Sequence, residues 1–193
     1  MSLFQTLKPK PKSNSSGGCC LLLDTSGSMD ATVENTEEEG LEPRRIELLF
    51  RAVRDTPECQ GMKAFTFDSR CRPIETIPSE DEAAEFNPTG GTDLATAFTT
   101  VKSAGFYQAI LVTDGEPDSE SKALAAAQGM KLGIIYIGTP PVPPFLERLA
   151  AATDGTFAIA DMRAQGQLEE ALIRALPAPD PKDEPPAGGA INL

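Results

Sequence analysis

Three short stretches of the chain place oxygen-bearing side chains at spacings that could hold a metal ion. They are Asp24-Thr25-Ser26-Gly27-Ser28-Met29, Gly90-Gly91-Thr92-Asp93 and Thr113-Asp114-Gly115. Alternate residues of an extended turn point to one side, so the Asp24 carboxylate and the Ser26 and Ser28 hydroxyls can converge. Thr92 offers a further hydroxyl and Asp114 a second carboxylate. All five are hard oxygen donors, suited to a small divalent cation that takes six oxygens in near-octahedral geometry and keeps part of its water shell. Few carboxylates among several hydroxyls lean towards Mg²⁺, with Mn²⁺ or Ca²⁺ as alternatives. Taken singly, each stretch has an ordinary explanation. Asp and Ser are favoured in caps and turns, Thr92 alone reads as a helix N-cap, and Thr113-Asp114-Gly115 alone reads as a turn. Their shared location argues for the metal.

That location follows from the elements around them. Cys19 to Asp24 is a short continuous apolar run, the pattern of a central strand covered on both faces. Ile46, Leu49, Phe50 and Val53 form one stripe of an amphipathic helix, and Leu94, Ala97, Phe98 and Val101 repeat it. Lys63 to Phe67 and Cys71 to Ile77 read as two strands joined by Asp68-Ser69-Arg70. So short a link predicts an antiparallel hairpin, because a parallel return needs a long crossover. Further strands are expected at Ala109 to Val112, Leu132 to Ile137 and Thr156 to Ala160. Helices are expected at Ser119 to Gln128, Pro144 to Ala152 and around Leu168, Ala171, Leu172 and Ala175. Such alternation implies an α/β domain: a doubly wound, mostly parallel sheet with helices on both faces. Ligands bind such sheets outside the C-terminal strand ends, near the point where strand order reverses. Asp24, Asp68 and Asp114 each close a predicted strand there, and Thr92 precedes a helix on the same edge.

Composition and missing motifs exclude other chemistries. The chain has 193 residues, 40% of them hydrophobic, enough for one core. Its formal charge of −12 argues against a nucleic-acid partner. No G-x-G-x-x-G follows the first strand and no P-loop exists, and a chain without histidine lacks both a Ser-His-Asp base and the usual zinc ligands. The four cysteines show no CxxC spacing and are expected as free thiols. No stretch suggests a signal peptide or a membrane span, so a soluble, cytoplasmic protein is expected. Residues 1–18 and the proline-rich 177–193 read as flexible tails around a domain at 19–176, either spacers or docking segments.

The ordered set D-T-S-G-S-M, G-G-T-D and T-D-G on this alternating pattern resembles the von Willebrand factor A (vWA) family and its metal-ion-dependent adhesion site. The resemblance covers roughly residues 19–176. It implies a three-layer, Rossmann-like fold whose six-stranded sheet has one antiparallel edge strand. It also implies metal contacts from Ser26, Ser28 and Thr92, with Asp24 and Asp114 acting directly or through water. A non-catalytic interaction module is then expected, in which an Asp or Glu carboxylate of a protein partner completes the metal shell. Family analogy points to MoxR-type AAA+ ATPases or to kinase and phosphatase systems of bacterial stress responses as partners. Two alternatives are an extracellular adhesion protein and a Mg²⁺-dependent phosphatase of haloacid dehalogenase-like type. The latter wants D-x-D, where this chain has Ser26. Between Met29 and Pro43 lies a glutamate-rich stretch, Glu34 to Glu42, expected on the metal face. It reads either as a solvated loop or as a segment whose carboxylate takes the open metal position. Asp30 and Asp68 are expected nearby in supporting roles.

Overall fold

The computed structural model describes residues 18–34, 42–164 and 166–177. Six strands, β1 (Cys19–Asp24), β2 (Lys63–Phe67), β3 (Cys71–Ile74), β4 (Gln108–Thr113), β5 (Lys131–Tyr136) and β6 (Thr156–Ile159), form one sheet in the order β3-β2-β1-β4-β5-β6. Only the β2–β3 pair is antiparallel, the hairpin that the three-residue link requires. The β3 strand stops at Ile74, short of the expected Ile77. Its partner runs out there: Ala64 pairs with Ile74 and β2 begins at Lys63.

Helices α1 (Arg45–Asp55), α2 (Glu80–Glu85) and α6 (Gln167–Ala175) cover one sheet face; α3 (Leu94–Ser103), α4 (Glu120–Ala127) and α5 (Pro144–Ala152) cover the other. The period-two geometry of β1 divides its apolar run between them. Leu21 and Leu23 pack with Leu49, Phe50, Val53 and Leu172, whereas Cys20 and Leu22 pack with Phe98, Val101, Leu146 and Leu149. Burial on both sides explains why the strand lacks alternation. All four cysteines are free, and burial raises their thiols to about 11 for Cys19, Cys59 and Cys71 and about 12 for Cys20. Protonated at neutral pH, they are poor nucleophiles and poor metal ligands.

Helix α2 has no counterpart in the sequence reading. Its six residues are too few to show an apolar stripe, and it is nucleated by a capping box in which Ser79 Oγ accepts from Glu82 N while Glu82 returns a bond to Ser79 N. The expected tails fall outside the described residues except for Gly18 and Pro177, as does the glutamate-rich stretch between Glu34 and Glu42. Among the described residues, no helix is long and apolar enough to cross a membrane.

Candidate metal centre

Strand order reverses between β1 and β4, and the loops leaving these two strands carry Asp24, Ser26, Ser28 and Asp114. Asp24 is the last residue of β1 and is fully buried. Its Oδ1 accepts from Ser26 N at 2.8 Å and its Oδ2 from Thr113 Oγ1 at 2.5 Å. The chain stays extended through Ser26 (φ −63°, ψ 165°) and then tightens into a 3₁₀ turn at Gly27–Asp30. Ser28 is therefore presented by a turn rather than by an extended segment. Its hydroxyl still lies 3.2 Å from Ser26 Oγ and donates to Asp114 Oδ1 at 2.6 Å.

Thr92 enters from the loop before α3. Asp93, not Thr92, caps that helix, accepting from Thr96 N at 3.0 Å and from Thr96 Oγ1 at 2.6 Å. The Thr92 hydroxyl is thereby released from the capping duty it would have if read alone, and it hydrogen-bonds to no other described residue. Its backbone is held by Asp118, which accepts from Thr92 N and donates its own N–H to Thr92 O. Gly115 lies between the two arms of the cluster, since a Cβ there would sit 3.5 Å from Thr92 Oγ1 and 3.9 Å from Ser28 Oγ. The preceding glycines are needed for the loop itself. Gly90 adopts φ +77°, and a Cβ on Gly91 would approach Asp118 Oδ1 to 2.6 Å. Backbone bonds from Gly27 N to Gly90 O and from Thr89 N to Thr25 O tie this loop to the first one.

The fold thus gathers all five sequence-selected residues at one strand edge. Asp24, Ser26, Thr92 and Asp114 are buried, while Ser28 is exposed at the mouth. Asp30 and Asp68 engage their carboxylates with other partners, Asp30 with Arg44 at 2.9 Å and Asp68 with Arg70 N and Arg72, while Asp68 O accepts from Asp93 N beside Thr92. Burial pushes the Asp24 carboxyl up to about 6, against hydrogen bonds from Ser26 and Thr113, with Asp114 adding like-charge repulsion. Three participants escaped the sequence reading. Thr113 belongs to a quoted motif, but only the β1–β4 register shows it facing Asp24. Asp118 acts through the Thr92 backbone. Arg45, first residue of α1, places Nη1 2.5 Å from Asp114 Oδ2 and 3.5 Å from Ser28 O.

The donor set suits a small hard cation. Adjacent ligands of an octahedral Mg²⁺, each at ~2.0–2.1 Å, lie about 2.9 Å apart. The 2.6 and 3.2 Å separations across Ser28 bracket that value. Among the described residues, no group of three or more His, Cys, Asp or Glu side chains converges into a thiolate–imidazole or carboxylate-rich cage.

No protein-family model matches the sequence. No curated protein matches it either. Solved structures do. The chain is similar to the SpRpn10 VWA domain at 12% identity and a TM-score of 0.53, over 81% of this chain and 93% of that one. It is also similar to a von Willebrand factor type A protein from Catenulispora acidiphila at 20% identity and a TM-score of 0.53, over 81% of this chain and 41% of that one. At such identities the likeness is one of fold. The chain has the architecture of a vWA domain: a six-stranded, mostly parallel sheet with one antiparallel edge strand, flanked by helices on both faces.

Proposed function

We propose that this chain is a metal-dependent protein-interaction module. A divalent cation, Mg²⁺ by preference, is held by Ser26, Ser28 and Thr92 together with Asp24 and Asp114, and it takes a carboxylate oxygen from a partner protein. The observation that carries this reading is the convergence of Ser26, Ser28 and Asp114 oxygens at octahedral-edge spacing beside an exposed mouth. Hydroxyl ligands bring no charge, so the ion stays electron-poor and favours an anionic oxygen in its remaining position. The vWA architecture is itself one generally used for protein interaction. No bond-making step is assigned to the site: the chain has no imidazole, and Ser26 stands where a haloacid dehalogenase-like phosphatase would need a second aspartate.

Thermal unfolding of the full chain with Mg²⁺ and with EDTA tests the reading, beside Asp24→Asn, which keeps the side chain's shape and removes its charge. At a hundredfold excess over Kd, binding stabilises by about 2.7 kcal/mol, or about 5–10 °C in a chain of this size. The wild type is expected to show that rise and the variant to lose it. A Mg²⁺-capture experiment from host extract, repeated in EDTA, then isolates the partner. A wild-type melting temperature indifferent to Mg²⁺, Mn²⁺ and Ca²⁺ would sink the proposal.

A further inference from the structure

Arg45 is out of place by the ordinary rules of helix construction. It is the first residue of α1, where exposed N–H groups and the positive end of the helix dipole disfavour a cation. Its neighbour Arg44 faces the same penalty and has an evident remedy. The Arg44 guanidinium bonds the Asp30 and Glu47 carboxylates and the carbonyls of Ala83, Ala84 and Phe86 at the end of α2. Arg45 turns instead into the candidate metal centre, and its one carboxylate partner among the described residues is Asp114, whose side chain is 0% exposed. Nη1 also reaches Ser28 O, so the guanidinium contacts two of the five residues that would surround the ion. Its backbone is fixed to the first metal loop by the Arg45 N to Ala31 O bond. A resident cation therefore holds Oδ2 of the carboxylate whose Oδ1 faces Ser28.

We propose that Arg45 is a built-in competitor for the divalent ion. Its guanidinium compensates Asp114 through Oδ2 when no metal is bound, loses hold on that carboxylate as a metal draws its charge through Oδ1, and so sets how much metal the site requires. The inference rests on the metal-binding reading above. Physically, a fixed positive charge raises the electrostatic work of bringing in a divalent ion, and a buried carboxylate left without either cation is destabilising. Removing the guanidinium should therefore act in opposite directions on the two states.

The test uses the full chain and Mg²⁺ alone, comparing wild type, Arg45→Gln and Arg45→Lys by calorimetric titration and thermal unfolding. Arg45→Gln should bind Mg²⁺ about tenfold or more tightly than wild type, a change of ~1.4 kcal/mol or more. In EDTA it should melt below wild type, and saturating Mg²⁺ should close that gap. Arg45→Lys keeps the charge and should remain near wild type in affinity. Equal or weaker Mg²⁺ binding by Arg45→Gln, with a melting gap that persists in Mg²⁺, would make Arg45 a structural prop and overturn the inference while leaving the metal site intact. Silence of every variant towards Mg²⁺ would instead remove the metal-binding reading and this one with it. Should Arg45→Gln fail to fold, nitrogen NMR of the wild-type guanidinium decides. Its Arg45 signal, assigned from Arg45→Lys, should lose protection from solvent exchange on Mg²⁺ addition, and an unchanged signal refutes the competition.

Discussion

Eight polar side chains are buried among the described residues, and they fall into two groups that differ in how they are satisfied. Thr56 and Thr153 lie at the ends of α1 and α5, and each hydroxyl donates back into its own helix, to Ala52 O at 2.7 Å and to Leu149 O at 3.0 Å. Asp24, Thr25, Ser26, Thr92, Thr113 and Asp114 lie together at the C-terminal edge of the sheet. Beside local bonds of Ser26, this group is tied by bonds that span the chain: Thr113 reaches Asp24 across 89 residues, Ser28 reaches Asp114 across 86, and Arg45 reaches Asp114 across 69. A hydroxyl that bonds its own preceding turn solves a local problem and needs nothing else. A buried cluster assembled from three separate segments is costly to hold, and such clusters persist where they serve a site.

The sharpest way to break this distinction is Thr113→Val. Valine keeps the shape, so packing is preserved while Asp24 loses one of its donors. Leaving a buried carboxylate short of a hydrogen bond costs about 1–3 kcal/mol. Urea unfolding in EDTA should report a loss in that range, and a change under about half a kcal/mol would mean that the site bond contributes less than the solitary bonds at the helix ends, which breaks the distinction. Next in size is the separation of Thr92 from its neighbour. Thr92→Val should weaken Mg²⁺ binding by about tenfold while moving stability in EDTA by no more than ~0.5 kcal/mol, as expected where no folded-state bond is lost. Asp93→Ala should do the reverse, losing about 1 kcal/mol of helix capping with the smaller effect on Mg²⁺. If Thr92→Val were the more destabilising of the two, the assignment of the cap to Asp93 would be wrong. Smallest of all are Thr56→Val and Thr153→Val. Each removes a solitary hydroxyl-to-carbonyl bond worth about 0.5–1.5 kcal/mol, and neither should alter the Mg²⁺ response.

Much of this was legible in the sequence, for identifiable reasons. The doubly wound fold could be read because its central strands β1, β4 and β5 are near-continuous apolar runs, several of its helices carry regular stripes, and a three-residue link admits only a hairpin. The convergence of Asp24, Ser26, Ser28, Thr92 and Asp114 could be read because each stands near a strand end or just before a helix, where topology delivers it to one edge. What stayed hidden depends on pairing rather than on pattern. The early end of β3 is set by where β2 begins, and nothing within Cys71 to Ile77 announces it. Helix α2 is too short for periodicity and betrays itself only in Ser79-x-x-Glu82. Arg45 looks like any surface base of an amphipathic helix, and its partner is reached only once the sheet has formed.

Val33 N bonds Pro43 O and Arg45 N bonds Ala31 O, while Thr32 and Arg44 form an isolated antiparallel bridge. These rungs make a closed neck, through which the polypeptide leaves the rim beside Ser28 and comes back to almost the same spot. Lengthening such an excursion adds cost only logarithmically in its span. The described ends of this excursion thus close on each other at the rim, and the hydroxyls and carboxylates beneath are held by bonds of their own.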